Sequence, residues 1–168
     1  VTLIYSPFGK RSGAHMNPST TLTFLRLGKI GPVDAFFYVV SQFVGAITGV
    51  GVASLVLGLR LSHPSVNYVM TLPGAYGQWW AFVAEMGITF VLMSMILRVS
   101  NMPMWNRYTG LFAGLLVAVY ISIEAPISGM SMNPARSLAP ALAAGTVKPL
   151  WIYFTAPPIG MLLAAEVY

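Results

Sequence analysis

Apolar residues fall along this chain in four blocks, running from Val33 to Gly58, Trp79 to Leu97, Tyr108 to about Ile123 and Leu150 to Tyr168. A helix needs about 20 apolar residues to cross a bilayer, so each block predicts a span, the third being the shortest. Between them the pattern breaks twice in the same manner. Segments 10–29 and 126–148 are only moderately apolar, are too interrupted by Gly and Pro to span, and carry one Asn-Pro each. Broken segments in corresponding positions predict re-entrant half-helices, because non-helical backbone at membrane depth is tolerated only beside a wet cavity or inside protein.

The two breaks are near copies of one another. Ser12-Gly13-Ala14-His15-Met16-Asn17-Pro18 and Ser128-Gly129-Met130-Ser131-Met132-Asn133-Pro134 agree at five of seven positions, at a constant offset of 116 residues. Asn is a preferred N-cap, because its side-chain oxygen accepts from an orphan N–H of the first turn. Pro at the next position gives up an N–H that would have been unpaired anyway. A cap alone does not explain two such motifs in an apolar chain; a duplicated helix start predicts half-helices related by a two-fold around a pore or substrate site.

Composition fixes the class. The chain is 57% hydrophobic and 8% charged, against about 25% charged in a soluble domain, which leaves too little polar surface for a water-facing shell. This predicts an integral membrane protein. Cysteine is absent, so neither a disulfide framework nor a thiolate metal site is available. The net charge of +5 does not point to nucleic acid, since the basic residues are scattered at the ends of apolar runs. Lys10, Arg11, Arg26 and Lys29 flank the first half-helix, and Arg98 and Arg107 flank the loop between the second and third spans. The alternate side holds Arg60, Lys148 and Arg136. The positive-inside rule therefore places the first half-helix on the cytoplasmic side, and the second must enter from outside. Opposite entry is what an inverted repeat requires, and charge placement yields it independently of the motif. Gly45 with Gly49, and Gly110 with Gly114, have the spacing that lets membrane helices approach closely, set against the general abundance of Gly in such helices. The chain opens on Val1-Thr2-Leu3-Ile4-Tyr5 with no initiator Met and no basic leader, and reads as the tail of a span.

Segments 12–19 and 129–137 closely resemble the two Asn-Pro-Ala boxes of the major intrinsic proteins, the aquaporins and glycerol facilitators. Tyr38 to Ala46, Ala84 to Thr89 and Trp151 to Pro157 match the same family, so the resemblance covers essentially the whole chain. The first box departs slightly, reading Asn17-Pro18-Ser19 where the second reads Asn133-Pro134-Ala135. The resemblance implies an all-α membrane fold, an aquaporin-like inverted repeat with two re-entrant half-helices. Residues 1–168 would form one transmembrane domain, with 1–58 the remainder of the first repeat and 78–168 the second. The family has six spans, so its first span and most of its second are expected to lie outside this chain.

The resemblance further implies that the half-helices meet end to end near the bilayer midplane. Each N-terminus then contributes roughly half a positive charge to the pore. Asn17 and Asn133 would cap with their oxygens and present N–H groups to a passing water or alcohol oxygen, while the positive field opposes cations and hydrated protons. The backbone carbonyls of Gly13, Ala14, His15 and Met16, and of Gly129, Met130, Ser131 and Met132, would form acceptor ladders. Arg136, a permanent cation inside a membrane segment, is either a snorkelling helix-end residue or, as the resemblance implies, part of an outer selectivity filter with Ile121 and Met130. The fourth filter position is expected to lie outside this chain. Water-selective members typically place His where Ile121 stands. Ser137, Ala141, Tyr153 and Phe154, in contrast, match the water-channel branch. Glu85 and Gln42 are expected as structural support, the resemblance implying that Glu85 braces the re-entrant loop by accepting from backbone N–H groups, and His15 as scaffold. Glu124 is expected at the headgroups, with the outer vestibule as the alternative.

The resulting expectation is a passive channel for water, with other small neutral solutes as further candidates, that excludes protons and ions. It would be multi-pass in a plasma or inner membrane, a homotetramer in the lipid bilayer, with no cofactor, no metal and no nucleic-acid partner. A glycerol or small-solute facilitator of the same fold is the nearest alternative. An ion-coupled inverted-repeat transporter would want titratable groups at the midplane, where only Glu85 lies near that depth. An intramembrane enzyme lacks a nucleophile–base or metal constellation, since His15 and His63 are isolated and no Asp lies inside a span beyond the terminal Asp34. The ten Met residues show no repeated metal-binding pattern and read as gap-fillers. An inactive fragment with one pore wall open to lipid is the remaining alternative.

Overall fold

Pro at the first helical position, with Gly or Asn just before it, starts three of the helices, those at Pro18, Pro32 and Pro134. In the computed structural model, which describes residues 2–168, ten α-helices follow in order. They are α1 (Thr2–Tyr5), α2 (Pro7–Ser12), α3 (Pro18–Arg26), α4 (Pro32–Leu57), α5 (Leu59–Ser62), α6 (Gln78–Ser100), α7 (Thr109–Ile123), α8 (Ala125–Ser128), α9 (Pro134–Ala143) and α10 (Leu150–Val167). No strand occurs among the described residues. The helices α4, α6 and α10, and α7 with the 3₁₀ turn before it, are long and apolar enough to cross a membrane. The two short helices α3 and α9 follow the duplicated segments.

Packing follows a two-fold pattern. The half-helix α3 lies against α4 and α10, α9 lies against α10 and α4, and α3 and α9 touch each other. Exchanging α3 with α9 and α4 with α10 reproduces this set of neighbours. The symmetry ends at α6, which packs extensively on α10. Gly160 marks the closest approach, since a Cβ there would collide with the Met86 carbonyl and the Thr89 hydroxyl. On α4 the glycines expected to serve close packing do not. A Cβ on Gly45 or Gly49 would meet nothing within 4 Å. The reason is their setting: Gly45 borders a groove facing the second box, and α4 packs mainly on the short helices α3 and α9. Gly110 approaches the Tyr5 ring and Ile4 instead of another span, and the Tyr5 hydroxyl donates to the Arg107 carbonyl at 2.9 Å.

One core cluster joins Leu92, Met93 and Leu97 of α6, Tyr120 of α7, Met161, Ala164 and Ala165 of α10, and Met130 and Met132 from the second re-entrant loop. A smaller one, Ala81 with Ile152, Tyr153 and Ala156, closes the outer ends of α6 and α10. Large apolar side chains such as Phe36, Leu55, Val91 and Leu115 stay exposed on the helix flanks, the arrangement expected of surfaces solvated by lipid tails. Trp79 and Trp151 meet edge to face at 5.6 Å at one end, and Trp105 and Tyr108 lie together at the other, the placement of interfacial aromatic belts. Arg26 and Glu166 pair at 2.8 Å where α3 and α10 end. Both are more than half exposed, and such a pair contributes at most about 1 kcal/mol.

Candidate functional site

The duplicated segments fold alike at most positions, Met132 (φ 57°) alone taking left-handed backbone where its counterpart Met16 does not. The Ser12 hydroxyl accepts from the Ala14 N–H at 3.2 Å, and the Ser128 hydroxyl accepts from the Met130 N–H at 3.0 Å. Gly13 (φ 63°) and Gly129 (φ 81°) turn the chain through the left-handed region, followed there by Ala14 (φ 52°) and Met130 (φ 49°). Asn17 and Asn133 then adopt extended backbone and cap α3 and α9. The Asn17 Oδ1 accepts from Ser19 N at 2.9 Å; the Asn133 Oδ1 accepts from Ala135 N at 3.0 Å and Arg136 N at 3.3 Å.

The two copies meet through their amides. Asn17 Nδ2 donates to the Met132 carbonyl at 2.7 Å, and Asn133 Nδ2 donates to the Met16 carbonyl at 2.9 Å. Each amide carries two N–H groups, so each retains one after this reciprocal contact. The half-helix N-termini are thereby pinned to one another across the middle of the fold, with their positive ends adjacent.

Two cavities border this junction. One of about 470 Å³ is bordered by Gly13, Ala14, His15, Met16 and Asn17 of the first copy, by Asn133, and by residues of α3, α6 and α7. Another of about 540 Å³ runs between α4 and the second box, touching Met16, Asn133, Ala135 and Arg136. Ile121 lines neither of these two and lies exposed on α7, while Met130 is buried in the larger core cluster. Of the proposed filter residues, Arg136 alone borders a cavity described here.

Different elements brace the two loops. Glu85, fully buried in α6, accepts from Ser128 Oγ at 2.8 Å, from Met132 N at 2.7 Å and from Ser131 N. Gln42 of α4 donates through Nε2 to the His15 carbonyl at 2.7 Å and to Thr21 Oγ1 at 2.9 Å. His15 stacks on Tyr38 at 5.0 Å and reaches Thr21 Oγ1 through Nδ1. Tyr153, read in the sequence only as a branch marker, donates its hydroxyl to the Ser128 carbonyl. Its neighbour Phe154 stacks on Phe43 of α4 at 5.9 Å.

Glu124 departs from its expected place at the headgroups. It is buried, and neither carboxyl oxygen has a partner among the described residues; the same holds for the Tyr120 hydroxyl. The chain passes from α7 directly into α8, with the Ile127 N–H donating to the Glu124 carbonyl at 2.8 Å. That tight turn folds in a side chain which a helix end would otherwise offer to water.

The duplicated glycines are not equivalent. A Cβ on Gly13 would meet only the His15 ring, whereas one on Gly129 would stand 2.7 Å from the Leu72 carbonyl and 2.9 Å from Thr71 Cγ2. Both alanine variants pay for left-handed backbone, about 1–2 kcal/mol each. Gly129→Ala must also move backbone, and is expected to lose a further 1–3 kcal/mol or so. Thermal unfolding of the two detergent-solubilised variants checks this; equal melting temperatures would contradict it.

Comparison with known proteins places the whole arrangement in context. The family model described as "Major intrinsic protein" matches residues 1–168. Aquaporin NIP2-2 of Zea mays is 38% identical over 172 residues, covering all of this chain and 55% of its own length. The glycerol uptake facilitator protein-like 6 of Lactiplantibacillus plantarum is 36% identical over 169 residues, covering 98% of this chain and 77% of its own. The chain thus spans a little over half the length of the plant relative. Among solved structures, the aquaglyceroporin from Plasmodium falciparum superposes with a TM-score of 0.79 at 19% identity, covering 93% of this chain and 72% of that one. This last likeness speaks to fold.

Proposed function

The chain belongs to the major intrinsic protein family, and from that premise we propose that it lines a passive transmembrane pore for water that excludes protons and ions. The observation carrying this reading is the reciprocal contact of the two Asn amides with the facing Met16 and Met132 carbonyls. It leaves one N–H on each amide for a solute oxygen, and sets two positive helix ends at the same point. A water there accepts from Asn17 and Asn133 together, so its own hydrogens turn away toward the acceptor carbonyls on either side. A cation or hydrated proton meets the same field as a barrier.

The first-copy carbonyls of Gly13 to Met16 border the inner cavity, which supports their role as acceptors. Arg136 stands one turn into α9 and borders the cavity beside the second box, which supports its place in an outer filter; Ile121 and Met130 join it in this reading on the family resemblance alone. Water is favoured by Ser137, Ala141, Tyr153 and Phe154, which fit the water branch. The nearest competing reading is a glycerol facilitator, since a similar relative carries that name and Ile121 makes the filter less polar. The functional form in this reading is a homotetramer.

Stopped-flow light scattering of proteoliposomes separates the readings. Osmotic shrinkage in sucrose is expected to be fast and independent of pH, with glycerol re-entry slow. Rapid glycerol re-entry would move the assignment to the facilitator, saturable proton-dependent flux to a coupled transporter, and shrinkage no faster than that of empty vesicles would overturn the pore.

A further inference from the structure

Between α5 and α6 the chain sends residues 70–74 onto the second re-entrant loop, where this segment touches Arg136. Thr71 is buried, and its hydroxyl accepts from Arg136 Nη1 at 2.8 Å and from Ser137 Oγ at 3.2 Å. Among the described residues this is the only hydrogen bond the Arg136 guanidinium makes. Ser137 Oγ in turn contacts Ser131 Oγ, which accepts from Asn133 N at 3.2 Å. A continuous row of hydroxyls therefore runs from the guanidinium to the backbone of the second box. The segment is held there by its own contacts: Gly74 N donates to the Ile127 carbonyl at 2.9 Å, and a Cβ on Gly74 would collide with the Pro126 carbonyl.

We propose that Thr71 is the positioning residue for Arg136, holding the guanidinium against the outer loop and so setting the width of the outer constriction. The inference rests on the pore reading above, in which Arg136 is a filter residue. A guanidinium has five donors and no acceptor, and an aliphatic neighbour offers it nothing. With the Thr71 oxygen removed, its remaining partners are the solutes in the lumen, and the head leans into the passage. Losing one hydrogen bond to a charged donor shifts such a rotamer balance roughly tenfold.

The test compares Thr71→Val, Thr71→Ala and Thr71→Ser in the full-length protein. In detergent, the rate at which phenylglyoxal modifies Arg136, read by peptide mass, is expected to rise at least about threefold in the Val and Ala variants. It should return to within about twofold of the parent rate in the Ser variant, which keeps the hydroxyl. In proteoliposomes the glycerol-to-water permeability ratio should fall in the Val and Ala variants and recover in Ser, as expected of a narrowed passage. A merely structural role would lower melting temperature and both fluxes together, leaving the ratio and the reactivity unchanged, and that result overturns the proposal. So does a Ser variant that behaves like Val. If one variant fails to fold, the other decides. Parent protein without water flux would sink the pore reading alone, because the reactivity measurement does not depend on conduction.

Discussion

Glu85→Ala is expected to destabilise this protein more than any other single truncation in the fold, by about 4 kcal/mol or more. The carboxyl is fully buried and serves three donors, Ser128 Oγ, Ser131 N and Met132 N. Two of these are backbone groups in a stretch that forms neither helix nor strand, so no ladder bond can replace what is lost. A buried N–H left without an acceptor costs about 1–3 kcal/mol. Glu85→Gln offers a graded comparison. An amide has one acceptor oxygen, so its NH₂ must face a donor whichever way it turns. It keeps part of the network and sets donor against donor for the remainder. The expected order of melting temperature is parent, then Gln, then Ala, measured by thermal unfolding in detergent. Water flux per incorporated protein should fall in the same order, since Ser131 and Met132 belong to the loop that delivers Asn133. An Ala variant that melts with the parent would show that the loop holds its shape without the carboxyl.

The architecture was legible where it rests on repetition. Two Asn-Pro starts, four apolar blocks and the separation of basic residues point to opposed half-helices, because caps and lipid burial leave local marks in the sequence. The first residue of the repeat was visible but unexplained: Ser12 and Ser128 recur because each hydroxyl accepts the N–H two residues on, bending the chain into the left-handed turn. Glu85 became legible only through family resemblance, since a lone acid within a span shows that it matters without showing what it faces. Thr71 left no signal at all. It lies in a segment without periodicity, and its partner Arg136 is 65 positions away, a separation at which no local rule operates. Glu124 misled for a related reason: an acid at a helix end reads as solvated, and the α7–α8 turn that buries it is a property of the chain beyond it. Gly45 and Gly49 had the right spacing for packing, but spacing cannot say whether a partner lies opposite.

The second large effect is expected in selectivity, from Asn133→Asp. Asp caps helices as well as Asn does, and a carboxylate can still accept from Ala135 N and Arg136 N as Oδ1 does now. The start of α9 should therefore survive, with the helix end itself favouring a negative group. What disappears is the donor: Asn133 Nδ2 gives to the Met16 carbonyl at 2.9 Å, and a carboxylate there sets acceptor against acceptor. A full negative charge also replaces a neutral amide where two positive helix ends meet. At about 4 Å and an effective dielectric constant near 20, unit charges interact by roughly 4 kcal/mol. Even a third of that lowers the barrier to a monovalent cation about tenfold. Asn133→Ala is the control, because it loses the cap at a cost of about 1 kcal/mol without adding charge. Potassium flux into proteoliposomes, followed by an entrapped cation-sensitive dye and divided by water flux, is expected to rise about tenfold or more in the Asp variant and to stay near the parent value in Ala. If Asp and Ala leak potassium equally, the barrier to cations does not reside at the junction of the half-helices, and Arg136 alone would have to supply it.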